Sequence, residues 1–330
     1  MEAYLGIDIG SVTTKFAVLD RNDGLVASLY LPTEGEPVAA VQRGLKQIGQ
    51  QLSDDIDISG VATTGSARRL GGIIAGADLV KNEITCHAVA AMKYTPGVQT
   101  VVEIGGQDSK IIIIRNGAVI DFGMNTVCAA GTGSFLDHQA LRLNMGIGEF
   151  ARRALDSYMP VHIAGRCTVF AESDMVHKQQ MGHNIEDVLY GLCRALVRNY
   201  LNNVGSGKDI QPPVVFQGGV AFNQGIVKAL EEALETEVIV PPHHELMGAI
   251  GAALLVHEEI MHSDNGTNFK GFGAGEVEYR TASFECKACA GLCEVAELWN
   301  GGRVLARWGG RCELWEGTSS SQKSQLLGKR

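Results

Sequence analysis

The sequence predicts an α/β fold: two βββαβα units facing each other across a cleft, followed by a small cysteine-rich module. Two observations carry the duplication. A strand, a glycine turn bearing an acidic residue and a second strand occur at residues 4–19 and again at 101–114. Each set leads through a further turn into helical sequence. A third observation sets the module apart, because apolar periodicity stops near residue 262 and four cysteines crowd into residues 286–312.

With 330 residues, the chain has room for two or three domains of about 100–200 residues each. Apolar residues make up 45% and charged residues 20%, an ordinary globular balance. A net charge of −9 argues against a general binder of nucleic acid or anionic membranes. Met1-Glu2-Ala3 lacks a basic start and no apolar run approaches 18 residues, so neither a signal peptide nor a membrane span is expected. A cytoplasmic location follows as an expectation. There the eight cysteines favour metal ligation or redox chemistry over disulfides. Cys86 and Cys193, inside helical apolar patterns, read instead as small buried hydrophobes.

Residues 4–9 alternate as a strand and stop at Gly10, and Ser11-Val12-Thr13-Thr14-Lys15 leads into a strand at 16–19. An inward Asp8 before such a turn suits a phosphate cradle. Backbone N–H groups and hydroxyls donate to phosphate oxygens, and Asp8 faces a metal. Alone, the pattern is equally that of an ordinary hairpin. After a turn at Asn22-Asp23-Gly24, a helix covers 38–51 and a strand 58–64. Residues 68–72 read as mobile, and a helix over 83–92 ends at the Pro96-Gly97 break.

The second unit opens with a buried strand at 101–104, broken by Gly105-Gly106-Gln107-Asp108. A strand at 111–114, the Asn116-Gly117 hairpin turn and a strand at 118–122 follow. Asp108 could hold a phosphate-bound Mg²⁺ through water. Cys128 opens a small-residue entry to a helix through Leu141, a place that lowers a thiol pKa and favours a metal-bound thiolate. Helical sequence at 145–155 and a short strand at 161–163 lead to Cys167, which opens an amphipathic helix over 168–180. A long helix covers 185–204, and a strand at 214–217 ends in Gly218-Gly219. Asn223 starts a helix to Leu234, a strand covers 238–240, and a small-residue helix runs from Met247 to about His257. The Gly-Gly turn and that helix suit a flat surface for an adenine, and equally suit close helix packing.

Polar residues without apolar period at 262–275 read as a linker. Beyond it stand Cys286, Cys289 and Cys293, strands at 297–299 and 303–308, and Cys312 after Gly309-Gly310-Arg311. So little core needs a staple, and four thiols suit an iron–sulfur cluster or a zinc. One C-x₂-C knuckle instead of two favours Fe–S; disulfides are the third reading, disfavoured by compartment. The expected organisation is 1–95, 96–258 with its closing helix packed back on the first unit, a linker at 259–275, a cysteine-rich module at 276–317 and a disordered tail at 318–330.

The motifs GIDIGSVTTK, Cys86-His87-Ala88, IGGQDSK, FGMNTVCAAGTGSFLD, RCTVFAESD, GGVAFN and GAIGAALL occur in that order. They resemble the BadF/BadG/BcrA/BcrD activators, ATPases that activate 2-hydroxyacyl-CoA dehydratases and benzoyl-CoA reductases, over Tyr4 to about His257. The resemblance implies the actin-like fold of the sugar kinase/heat-shock chaperone/actin superfamily, with ATP/ADP and Mg²⁺ in the cleft. Asp8 and Asp108 would organise Mg²⁺ and the attacking water, with Gln107 beside them. Gly10, Ser11, Thr13, Thr14, Lys15, Gly105 and Gly106 would hold phosphates, and Gly218, Gly219 and Asn223 would line the nucleoside end. Cys128 and Cys167 of each protomer of a homodimer would hold one [4Fe–4S] cluster on the two-fold axis. The implied function is ATP-gated transfer of a low-potential electron from ferredoxin or flavodoxin to a dehydratase or a double-cubane-type acceptor. The residues after His257 resemble the segment that follows this module in larger activases. A small-molecule or acyl kinase of the same fold, or a non-redox nucleotide-dependent scaffold, stays open; the kinase leaves Cys128, Cys167 and the four later cysteines without a role, and the scaffold predicts no redox activity.

Overall fold

A computed structural model describes residues 1–125, 128–165, 167–262 and 266–315. The expected tail at 318–330 and the motif residues Thr126, Val127 and Arg166 lie outside the described residues. The first unit comprises β1 (Glu2–Ile9), β2 (Thr13–Asp20), β3 (Leu25–Pro32), α1 (Pro37–Gln51), β4 (Asp57–Thr64), α2 (Arg68–Ala75), β5 (Leu79–Val80) and α3 (Glu83–Tyr94). Its sheet runs β3-β2-β1-β4-β5, with β1 antiparallel to β2 and parallel to β4. The second unit begins with β6 (Thr100–Ile104), β7 (Ser109–Arg115) and β8 (Ala118–Asn125). Four helices follow: α4 (Gly133–Arg142), α5 (Ile147–Ala154), α6 (Thr168–Gln180) and α7 (Ile185–Asn203). Then come β9 (Val214–Gln217), α8 (Gln224–Leu234), β10 (Val238–Ile239) and α9 (Met247–Met261). This sheet runs β10-β9-β6-β7-β8, the first sheet's order read from its other end. A three-stranded antiparallel sheet of β11 (Arg280–Glu285), β12 (Glu294–Asn300) and β13 (Arg303–Trp308) completes the described chain.

Packing explains why β1 shows no clean alternation. Every residue after Glu2 is buried, because helices cover both faces of the sheet. Leu5, Ile7 and Ile9 meet Val41, Leu45 and Ile48 of α1 on one face. On the other face α9 lies backbone to backbone against the strand: a methyl at Gly6 would stand 1.9 Å from Ala249 O. The opposite side of α9 meets α3, where a methyl at Gly251 would stand 1.9 Å from Cys86 O. The small residues of α9 therefore serve close packing between the units. Ala249, Ile250 and Ala253 share one core with Ala88 of α3 and with Val101, Ile112 and Val215 of the second sheet.

Several elements differ from their sequence patterns. Residues 68–72, expected to be mobile, lie in α2, whose Leu70 and Ile74 are buried in the first core. Two glycines make this helix weak in isolation, and tertiary packing holds it. Residues 161–163 form no strand; Val161 N–H donates to Asp187 O, and Ile163 is buried without a ladder. The expected linker is packed. α9 runs to Met261, Asn268 N–H and the Thr267 hydroxyl donate to Asp78, and Phe269 and Phe272 pack on the first core. β3 and β11 complete their sheets with half-exposed residues whose pattern is too irregular to read alone.

Because α9 meets α3 with no room for a side chain, Gly251→Ala should destabilise the fold by about 3 kcal/mol, the upper end for overpacking. Urea unfolding checks this, and an unchanged midpoint would contradict the backbone contact between the two helices.

Candidate functional site

The turns that follow β1 and β6 line one cavity of about 350 Å³ between the two sheets. They are the same turn made twice. Gly10 N–H donates to Thr13 O and Gly105 N–H to Asp108 O, each at 3.0 Å. Across the hairpins Asp8 stands opposite Lys15, and Glu103 opposite Lys110. DIGSVTTK at 8–15 thus corresponds, residue for residue, to EIGGQDSK at 103–110. The counterpart of Asp8 is Glu103, while Asp108 is the counterpart of Thr13. Glu103 and Lys110 were legible by setting these two octapeptides side by side, a comparison that matching the two aspartates obscures.

Asp8 lines the cavity together with Gly10, Ser11, Thr13 and Lys15 from the first turn, and with Gly105, Gly106, Gln107 and Asp108 from the second. Thr14 does not line it. Successive strand residues point to opposite faces, so with Thr13 toward the cleft the buried Thr14 hydroxyl turns away to Thr33 Oγ1 at 2.9 Å. Lys15 Nζ donates to Asp8 Oδ2 at 3.1 Å. Lys110 Nζ meets three carboxylates: Glu103 Oε2 at 2.9 Å, Asp108 Oδ1 at 3.1 Å and Glu83 Oε2 at 3.4 Å. Glu83, the first residue of α3, was not among the expected site residues.

Burial and attraction compete for every charge here. Burial is the largest influence on the Asp8 carboxyl and would raise it, but Lys15, His87 and Lys110 together outweigh it and hold Asp8 below the usual carboxylate range. Asp108 goes the other way: burial and the neighbouring Glu103 push it up against the pull of Lys110. Glu83 is raised by burial, only partly offset by Lys110. His87 is pushed down to about 3 by burial and by Lys110. Gln217 Nε2 lies 2.8 Å from His87 Nδ1, and as the donor it places the neutral ring's proton on Nε2.

Gly218, Gly219 and Asn223 close the far end of the cavity. Gly218 has φ +94°, and a methyl there would stand 2.5 Å from Ile104 O, so only glycine serves. Asn223 caps α8 through Oδ1, which accepts from Gly225 and Ile226 N–H, while its buried Nδ2 has no hydrogen-bond partner among the described residues. Tyr30 and the exposed Phe222, its ring edge-on to His244 at 4.3 Å, also line this end. Neither aromatic stood out in the sequence.

Cys128 opens a 3-10 turn, Ala129–Gly131, and α4 begins only at Gly133, because Thr132 is extended. The Asn125 amide brackets Cys128, donating to its carbonyl at 2.7 Å and accepting its N–H at 2.9 Å. Just beyond, Gly133 and Ser134 N–H donate to Gly105 and Gly106 carbonyls, both at 2.8 Å. Cys167 is the N-cap of α6. The segments of both cysteines meet at Asn199 of α7: its Nδ2 donates to Gly165 O at 2.6 Å, and a methyl at Gly131 would stand 2.9 Å from its Oδ1. Cys128 and Cys167 are both half-buried. Cys86 and Cys193 are fully buried, and burial pushes the Cys86 thiol up to about 12 and raises Cys193 too.

In the cysteine-rich module three sulfurs accept N–H groups. Trp315 Nε1 donates to Cys286 at 3.1 Å, Gly291 N–H to Cys289 and Arg311 N–H to Cys293, both at 3.4 Å. The Trp315 contact, with the Ala288 N–H, holds the Cys286 thiol below its ordinary value. Cys312 is exposed beside Arg311. Among the described residues no three Cys, His, Asp or Glu side chains converge at metal-ligand geometry.

The sequence model of the BadF/BadG/BcrA/BcrD ATPase family matches residues 5–256. The chain is 36% identical over 260 residues to the (R)-2-hydroxyglutaryl-CoA dehydratase activating ATPase of Acidaminococcus fermentans, covering 77% of this chain and 97% of that one. It is 34% identical over 261 residues to the 2-hydroxyisocaproyl-CoA dehydratase activator of Clostridioides difficile, covering 78% and 96%. The solved structure of the Clostridium difficile activator with bound ADPNP matches with a TM-score of 0.72, covering 79% of this chain and 96% of that chain.

The His87 environment sets a pH dependence. An unfolded histidine takes a proton near 6.5, whereas His87 stays neutral to about 3. The unfolded state therefore binds more protons across that window, and stability falls as pH drops. One such proton is worth about 1.4 kcal/mol per pH unit, and the lowered Asp8 adds loss in the same direction at more acid pH. Unfolding free energies measured from pH 7 to 4 should decline less steeply in His87→Gln; equal slopes would place the proton elsewhere.

Proposed function

Because the chain belongs to the BadF/BadG/BcrA/BcrD ATPase family, we propose that it hydrolyses ATP in this cleft to drive a low-potential electron into a 2-hydroxyacyl-CoA dehydratase or a double-cubane-type reductase. The observation that carries the reading is the repeated turn: two glycine cradles, each with its own carboxylate–lysine pair, open on one cavity. Backbone N–H groups of the two turns and the Lys15 ammonium neutralise phosphate oxygens. Asp8 and Asp108 hold Mg²⁺ and orient the attacking water, with Gln107 beside them. The buried Asn223 Nδ2, without a partner among the described residues, is a ready donor for the nucleoside end.

Cys128 and Cys167 fit an iron–sulfur cluster as thiolate ligands. Both are half-buried, Cys128 begins a 3-10 turn and Cys167 caps α6, and their segments share Asn199. Two thiols are half of a four-thiolate set, so a second copy of the chain completes it. Exposed Phe122 of β8 and exposed Val169 and Phe170, just after Cys167, offer apolar area for that contact. A [4Fe–4S] cluster held there supplies one-electron transfer, with ferredoxin or flavodoxin as the donor. Gly133 and Ser134 tie the Gly105–Gly106 turn to the segment that follows Cys128, so closure of that turn on phosphate reaches Cys128 through residues 129–132. The N–H groups aimed at Cys286, Cys289 and Cys293 suit metal-bound thiolates, and with Cys312 these residues are assigned to a second Fe–S cluster or a zinc.

Anaerobically purified protein should be brown, with the roughly four irons per two chains of the shared cluster lost in Cys128→Ser and in Cys167→Ser; Cys289→Ser should keep those irons and lose only metal held by the cysteine-rich module. Lys15→Ala should weaken ATP binding by about tenfold, ~1.4 kcal/mol. A colourless, iron-free protein that hydrolyses ATP normally would sink the electron-transfer reading.

A further inference from the structure

We propose that Lys110 is a built-in counter-cation: it keeps the cleft carboxylates from taking up a divalent metal before nucleotide arrives, and it positions Glu103 and Asp108 for the metal–nucleotide complex. The inference rests on the ATP reading of the cleft and deepens it. An ammonium has three N–H donors, and Lys110 Nζ has three carboxylates around it, at 2.9, 3.1 and 3.4 Å. Its side chain is 2% exposed. It pairs with all three at once, and with the ammonium between them these carboxylates do not converge at metal-ligand geometry among the described residues.

The internal duplication supplies the control. Lys15 sits at the same register position after the same turn, yet among the described residues it meets one carboxylate, Asp8, and its side chain is 17% exposed. Strand geometry is common to both halves, so it does not explain the difference. Two residues do: Glu83, brought in by α3, and Asp108, standing where the first turn has Thr13. Lys15 is thereby left open toward phosphate, and Lys110 is enclosed.

The three carboxylates are not held alike. Asp108 is 33% exposed, against 6% for Glu103 and 17% for Glu83. Asp108 is the one able to swing into the cavity when a metal–nucleotide complex arrives, leaving Glu103 and Glu83 on the ammonium. Glu103 uses Oε2 for Lys110 and turns Oε1 toward the turn glycines, where a methyl at Gly218 would stand 2.8 Å from it. Lys110 thus holds one Glu103 oxygen and aims the other at the cleft. Its role is positional and electrostatic.

The test titrates the nucleotide-free full chain with Mn²⁺ alone, read by EPR. Wild type should bind Mn²⁺ no tighter than millimolar. Lys110→Met, with its fold checked by circular dichroism, should bind about tenfold or more tightly, and adding Glu103→Gln should reverse the gain. Lys110→Arg should behave as wild type. If Lys110→Met does not fold, Lys110→Gln, which keeps an N–H donor among the carboxylates, replaces it. Micromolar Mn²⁺ binding by wild type, or a folded Lys110→Met or Lys110→Gln with no gain, would overturn the proposal. Failure of the ATP reading would register differently, as no ATP binding by wild type in saturating Mg²⁺, whatever the Mn²⁺ titration gives.

Discussion

A carboxylate at the buried end of a strand costs several kcal/mol unless a cation meets it. Both halves of this molecule solve that problem with a lysine seven residues further on, across the following hairpin. The solution dictates much else. The hairpin must be tight enough to bring the lysine back in register, which calls for the glycine turn, and the glycine turn presents N–H groups to the cavity. One electrostatic requirement thereby yields a paired carboxylate, a paired cation and an anion cradle at the end of each sheet.

The two ends must then be held opposite one another. α9 does this by lying between β1 and α3 with no side chains in the way, its glycines and alanines joining a core drawn from both sheets. Dispersion between close backbones and buried methyl groups supplies the adhesion. Such a seam is intolerant of added volume, and polar contacts flank it from Gln217 to His87 and from Lys110 to Glu83. It suits two lobes that adjust slightly around a ligand.

The cysteine segments are built onto the same framework. Cys128 follows the edge strand β8, and the residues after it hydrogen-bond to the second glycine turn. The Cys167 segment reaches the same neighbourhood through Asn199 of α7. The glycine turn and the two half-exposed thiols are thus linked through a few hydrogen bonds. A contiguous connection of this kind is the physical basis that coupling between sites requires.

The duplicated units, the glycine turns, the helix opened by Cys167 and the cap at Asn223 were legible in the sequence, because each rests on local rules of strand period, turn residues and capping. Most of the cavity lining was legible for the same reason. Thr14 was misplaced because strand alternation was not carried through the turn. Glu83, Phe222, α2 and the packed segment at 266–276 were not legible, since each is positioned by partners far away in the chain. By itself the sequence determined the two strand–turn–strand cradles, whose conformation depends on neighbouring residues. Only the tertiary structure decided which charges share Lys110 and that both cysteine segments meet at Asn199, because long-range burial, not local preference, sets the energy of those contacts.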